Sequence, residues 1–128
     1  MPINQIVVKF KDGSVKKGNT NDFLPNKQFF HLNTTDGALD KINVEDAKAI
    51  FFVKDLTGDK EHDYSYEDVV PGGGRKINVV FNDGEVVVGY VLGYSPDRQG
   101  FMMSPADLSG NNERIYAVAS AVKKVQFL

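Results

Sequence analysis

Apolar and polar residues alternate with a period of two at two places in this chain. Ile6, Val8 and Phe10 alternate with Val7, Lys9 and Lys11, and Ile77, Val79 and Phe81 alternate with Asn78, Val80 and Asn82. A period of two sends successive side chains to opposite faces, so each run predicts a β-strand with one buried face. Both runs end in Asp-Gly, at Asp12-Gly13 and Asp83-Gly84. That dipeptide predicts a two-residue hairpin turn, because it readily takes positive φ. A two-residue turn sets Phe10 opposite Val15, Phe81 opposite Val86 and Val79 opposite Val88. On the outer face it sets Lys9 opposite Lys16 and Val80 opposite Val87.

The resemblance between the two runs extends much further. Residues 6–36 and 77–107 align at a constant offset, with identities at Ile6/Ile77, Val8/Val79, Phe10/Phe81, Asp12/Asp83, Gly13/Gly84, Val15/Val86, Gly18/Gly89, Pro25/Pro96, Gln28/Gln99, Phe30/Phe101 and Asp36/Asp107. The match resumes as Lys48–Phe52 against Lys123–Phe127, after four additional residues in the second copy. The chain is an internal duplication, and the repeat unit sets the architecture. Gly18 and Gly89 lie inside the return strands and predict a bend or a close backbone approach. Third strands are expected at 29–32 and 101–103, fourth strands at 41–44 and 114–118, and fifth strands at 49–54 and 122–128. Asp36-Gly37 and Asn111-Asn112 are turn signals between the third and fourth. The expected fold is all-β: two tandem five-stranded units, residues 1–56 and 75–128, packed together and joined by a connector at 57–74.

Composition narrows the classes. Of 128 residues, 41% are apolar and 25% charged, with nine Phe and five Tyr, as in a soluble folded protein. Cysteine is absent, which removes disulfides, thiolate metal sites and cysteine nucleophiles. Met1 leads directly into the first strand with no apolar leader, and no apolar run reaches the length of a membrane span, so a cytoplasmic location is expected. The net charge of −2 comes from the connector, where Asp59, Glu61, Asp63, Glu67 and Asp68 outweigh Lys60. Each repeat alone is near neutral, which argues against bulk electrostatic binding of nucleic acid.

The first block, with Ile6, Val8, Phe10, Asp12, Gly13, Val15 and Gly18 and again Ile77, Val79, Phe81, Asp83, Gly84, Val86 and Gly89, resembles the Sm-like small β-barrel, a close relation of the SH3-like barrel. A short turn before a final apolar strand, at 47–53 and 121–128, is similar to that family's second block. The resemblance implies tandem barrels. It implies RNA binding only where the family's contact residues are present. The family's Asn before the third strand and Arg-Gly before the fifth are replaced by Pro25–Gln28 and Pro96–Gln99, and by Glu45-Asp46 and Ser120. Phe23 with Lys27, or Tyr94 with Arg98, would be the substitutes for a stacking site, although both aromatics are expected to cover the barrel ends. The second half, through Gly93–Phe101, Pro105–Asp107 and Asn111–Arg114, also resembles a little-characterised bacterial domain family. That family occurs alone or appended to signalling proteins, including ones with PilZ domains.

The copies differ where function is expected. Two opposed lysines keep an outer face exposed, whereas Val80 and Val87, with Val91 beyond, require a cover. That cover is the seam between repeats, the connector or a second copy, and the three valines form a candidate interface. Lys9, Lys11, Lys16 and Lys17 form a candidate basic patch. The enlarged loops of the second copy suggest a polar cluster of Tyr94, Asp97, Arg98, Asn111, Asn112 and Arg114, since long loops on a rigid scaffold carry binding residues. Arg98 and Arg114 are its best anchors, because guanidinium suits carboxylate or phosphate, unless Asp97 or Asp107 pairs with Arg114. Glu61, His62 and Asp63 are neighbours in an acidic run, a poor chelate, so neither metal nor cofactor is expected. Pro71–Gly74 reads as a hinge. With His31 in a strand and His62 in the connector, no catalytic constellation forms. The function expected first is a non-catalytic adaptor for a protein partner in bacterial regulation. The alternatives are an Sm-like RNA binder and a sensor of a small anionic ligand.

Overall fold

A computed structural model describes residues 4–56, 74–95, 97–106 and 111–128, so the connector from 57 to 73 lies outside the described residues. Ten strands follow in order: β1 (Asn4–Phe10), β2 (Val15–Thr20), β3 (Phe29–Thr34), β4 (Leu39–Asn43), β5 (Ala47–Val53), β6 (Arg75–Phe81), β7 (Val86–Val91), β8 (Gly100–Pro105), β9 (Asn112–Val118) and β10 (Val122–Phe127). Single 3-10 turns, Val44–Asp46 and Ala119–Ala121, precede β5 and β10. All strands belong to one antiparallel ladder in the order β10-β6-β7-β8-β9-β5-β1-β2-β3-β4. Among the described residues no helix is long and apolar enough to cross a membrane.

The duplication extends to the main-chain bonds that place the fifth strands. The Lys11 N–H donates to the Asp46 carbonyl at 3.0 Å, and the Asn82 N–H donates to that of Ala121 at 2.9 Å. Val44 donates to Gln28 and Ala119 to Gln99 in the same way. Within each repeat the first four strands form a meander. The fifth returns beside the first, because the 3-10 turn swings the chain across the fourth strand's end.

The hairpin register differs from the expected one by a residue. Lys9 pairs with Val15 and Val80 with Val86. The cause is the turn: the Gly13 N–H donates to Phe10 at 3.0 Å while the Phe10 N–H donates to Ser14 at 2.9 Å, and Gly13 has φ +91°. This is a three-residue loop, a turn followed by a left-handed glycine, and Gly84 repeats it at φ +93°. A one-residue slip exchanges faces. Lys9 and Lys16 are therefore on opposite faces, as are Val80 and Val87. The close approach expected at the strand glycines is present: a Cβ on Gly18 would lie 2.0 Å from the Asn33 carbonyl oxygen, and one on Gly89 would lie 2.4 Å from that of Ser104.

Two apolar cores form, and the repeats share them. Ile6, Val8, Phe30, Leu32 and Ile42 of the first repeat pack with Ile50 and Phe52 of β5, and with Tyr116 and Val118 of β9. Ile77, Val79, Phe81, Phe101 and Met103 of the second pack with Ile115 and Ala117 of β9, and with Ala49, Phe51 and Val53 of β5. β5 and β9 pair from Ala49↔Ala117 to Val53↔Asn112 and send alternate residues into each core. All seven β5 residues are buried, as expected of a strand covered on both faces. Each fully buried Ile or Phe contributes about 1.5–3 kcal/mol, so neither repeat keeps its core without the other.

The junction is thus β5–β9 and not the valine face. Val91 is buried in the second core, and Val87 packs against that same core. Val80, on the other face, is half-buried beside Lys124 of β10. At the valine hairpin's tip, charges make the inter-repeat contact. The Lys48 ammonium, with its residue 7% exposed, bonds Asp83 at 2.7 Å and also Glu85, while Lys9 reaches Glu85 at 3.5 Å. Burial pulls the Lys48 pKa down, but hydrogen bonds to Asp83 and Glu85 outweigh it and hold the pKa above its ordinary value.

Candidate binding cleft between the repeats

The loops after β2 and β7 begin alike, each with an aromatic lid. Phe23 meets Phe30 edge-on at 5.3 Å between centroids and Phe52 at 5.5 Å. Its counterpart Tyr94 meets Phe101 at 5.0 Å and Phe127 at 5.9 Å. Both rings are half-buried and pack against the cores. They are not free stacking platforms, and Tyr94 leaves the expected polar cluster.

Beyond the lids the two loops are tied together across the junction. Gln99 Nε2 donates to the carbonyls of Pro25 at 3.0 Å and Lys27 at 2.6 Å, and the Tyr116 hydroxyl donates to Pro25 at 2.9 Å. Tyr116 lies within the first core and over Gly100, where a Cβ would come within 2.6 Å of its ring. Burial pushes its phenol pKa up, against the pull of Gln99 and the Arg98 charge, so it stays protonated near neutral pH.

A cleft of about 710 Å³ opens beside this tie, lined by residues of both repeats that include Pro25, Tyr90, Leu92, Arg98, Met102, Arg114 and Tyr116. The volume falls in the range of ligand sites. Arg98 and Arg114, the two expected anchors, both line it. Arg114 lies over the Phe52 ring at 4.4 Å and approaches Asn4 Oδ1 at 3.5 Å. Among the described residues neither arginine forms an ion pair, and no lining residue is acidic. Asp97 is exposed and unpaired with Arg114. Pro96, Asp107 and the Glu61–Asp63 run lie outside the described residues.

The remaining candidate residues are placed elsewhere. Asn111 is structural: its Nδ2 donates to the Asp55 carbonyl at 2.8 Å, and its Oδ1 accepts from the Asp55 N–H at 3.0 Å. Asn112 pairs with Val53 and extends the same junction. The lysines do not form one patch: Lys9 is bonded to Glu85, Lys11 to Ser120 and Lys16 to Asp40 at 2.9 Å, while Lys17 lies exposed.

One cluster has no counterpart in the sequence reading. In the first repeat β2 and β3 pair only at Gly18↔Thr34 and Asn19↔Asn33. Side chains replace the ladder further along. The Asp22 carboxylate accepts from the His31 N–H at 2.9 Å and is 2.7 Å from its Nδ1, and the Thr20 hydroxyl donates to the His31 carbonyl at 2.8 Å. Asp22 loses solvation on burial, yet the hydrogen bonds from the His31 main chain and ring prevail and hold its pKa below the ordinary value. The signal available was polarity at Thr20 and Asp22 facing Val91 and Gly93 in the other copy.

A family model described as a family of unknown function (DUF6982) matches residues 3–128. No curated protein and no solved structure matches the chain.

Proposed function

We propose, for a chain that belongs to this family of unknown function, that it is a non-catalytic binding module whose inter-repeat cleft receives an anionic group of a protein partner. In this reading each five-strand run is a small Sm/SH3-like barrel, and the shared β5–β9 pair fixes the two barrels as a rigid frame. The observation that carries the proposal is the pair Arg98 and Arg114, both lining one cleft and free of ion pairs among the described residues. A guanidinium facing solvent without a carboxylate partner favours an incoming carboxylate or phosphate. Leu92, 83% exposed, and Met102 give the ligand an apolar surface beside the charges. Among the described residues the lining has no histidine or carboxylate to move a proton near neutral pH, which supports binding in place of catalysis. The engagement of the half-buried Phe23 and Tyr94 by core aromatics favours protein over single-stranded RNA, which would need free ring faces. An adaptor role in bacterial regulation follows from the resemblance of the second half.

The test is retention of a partner from the native host's lysate after nuclease treatment, compared with the Arg98→Ala/Arg114→Ala variant. Loss of the partner, with the urea midpoint unchanged, is expected. A partner retained by the double variant, or lost to nuclease alone, overturns the proposal.

A further inference from the structure

We infer that the cleft binds a carboxylate at the main-chain N–H of Met102, the position that Asp22 occupies at His31 in the first repeat; this rests on the cleft being the binding site. His31 and Met102 are equivalent by the repeat offset, and their cross-strand partners, Lys41 and Tyr116, are equivalent too. The N–H and C=O of His31 are directed away from β4, since Asp22 and Thr20 bond them. The same ladder geometry directs those of Met102 away from β9.

In the second repeat β7 and β8 likewise pair only at Gly89↔Pro105 and Tyr90↔Ser104, so the ladder does not reach Met102 from that side. The residues equivalent to Thr20 and Asp22 are Val91 and Gly93, which carry no polar side chain. Among the described residues no other group bonds the Met102 main chain. Met102, Gly93 and both arginines line the one cleft. The first repeat therefore shows the chemistry of the missing partner: a carboxylate on the N–H, completed by a hydroxyl or amide N–H on the C=O. Arg98 stands where the first repeat has Lys27, and Arg114 where it has Leu39, so the second repeat keeps one cation, as a guanidinium, and gains another where it lost its own acid.

The experiment is amide-resolved NMR on the full chain, titrated separately with succinate, a capped hexaglutamate peptide and inorganic phosphate. The Met102 amide is expected to shift saturably with a carboxylate probe. Tighter binding of the peptide identifies a partner's acidic side chains as the source, and equal or tighter binding of succinate identifies a free carboxylate. Gly93→Asp restores the first repeat's acid within the chain, and a Cβ at Gly93 meets no atom within 4 Å, so the variant is accommodated. It is expected to slow hydrogen exchange at Met102 and to weaken carboxylate binding about tenfold or more. A Met102 amide indifferent to both carboxylates, or Gly93→Asp binding and exchanging as the parent does, overturns the inference. If binding of carboxylate or phosphate is then still lost in Arg98→Ala/Arg114→Ala, the cleft reading survives without it. Anion binding indifferent to the arginines overturns both.

Discussion

Replacing Tyr116 with alanine asks the first repeat to hold its core without a side chain that the second supplies. Tyr116 is 1% exposed, and its ring meets Phe23 edge-on at 5.2 Å. Truncating a buried aromatic costs about 3–5 kcal/mol, from lost transfer energy and the cavity left behind. The hydroxyl adds little to this, because Gln99 still donates to the Pro25 carbonyl at 3.0 Å when Tyr116 is absent. Tyr116→Phe should therefore cost only about 1 kcal/mol. A domain of this size has about 5–15 kcal/mol of stability, so the alanine variant remains folded but is severely weakened. With a urea slope near 2 kcal/mol/M, its midpoint should fall by roughly 2 M, against about 0.5 M for phenylalanine. The assay is urea unfolding followed by far-UV circular dichroism, with hydrogen exchange resolved by strand. Because the ring sits among first-repeat residues, β3 and β4 should lose protection together with β8 and β9. A cost below about 1 kcal/mol, or lost protection confined to the second repeat, would refute the shared core.

Three further outcomes follow from particular contacts. Gly18→Ala forces a Cβ against the Asn33 carbonyl and should cost about 3 kcal/mol, whereas Gly93→Ala should stay within about 0.5 kcal/mol; thermal midpoints of the two variants check this. The Lys48 tie has two pH limits. The folded Lys48 pKa is raised, so its stabilisation is complete below the ordinary lysine value of about 10.4 and is lost as pH rises through the folded value. The folded Asp83 pKa is lowered, first by the Lys48 hydrogen bond, so its contribution is present above about 3.9 and is lost as pH falls through the folded value. Urea midpoints against pH should show both limits. Lys48→Met should remove the alkaline one at small cost, since the two carboxylates it leaves are partly in water, while Asp83→Asn/Glu85→Gln strands a buried ammonium and should destabilise more. At the free edges, Lys41 and Asn43 occupy the places of Tyr116 and Val118, and Lys124 and Gln126 those of Ala49 and Phe51. Light scattering should give the mass of one chain, and Lys41→Tyr/Asn43→Val with Lys124→Ala/Gln126→Phe should drive head-to-tail association through β4 and β10. Unchanged mass in that variant would refute the reading of the edges.

The strands, the turns and the close approach at Gly18 and Gly89 were legible because each depends on residues near in sequence. The register was not, because Asp-Gly serves both a two-residue turn and the last two places of a three-residue loop, and nothing local chooses between them. That single ambiguity moved Lys16 and Val87 to the wrong face and made a valine strand resemble a seam. The true seam had left a sign of its own. β5 reads Ala49, Phe51 where β10 reads Lys124, Gln126, so one fifth strand is covered on both faces and the other is exposed on one. Arg98 and Arg114 were legible as candidates from charge and loop placement. Their convergence in one cleft was not, since it requires the β8–β9 pairing that brings Tyr116 over Gly100. The exchange of Thr20 and Asp22 for Val91 and Gly93 looks from sequence like ordinary loop drift. It gains meaning only once the acid is seen holding the His31 main chain, because the same substitution then leaves an equivalent donor open at the wall of a cationic cleft. Divergence between the copies removed an internal acid, turned Lys27 into Arg98 and Leu39 into Arg114, and the proposed external carboxylate would account for these changes together.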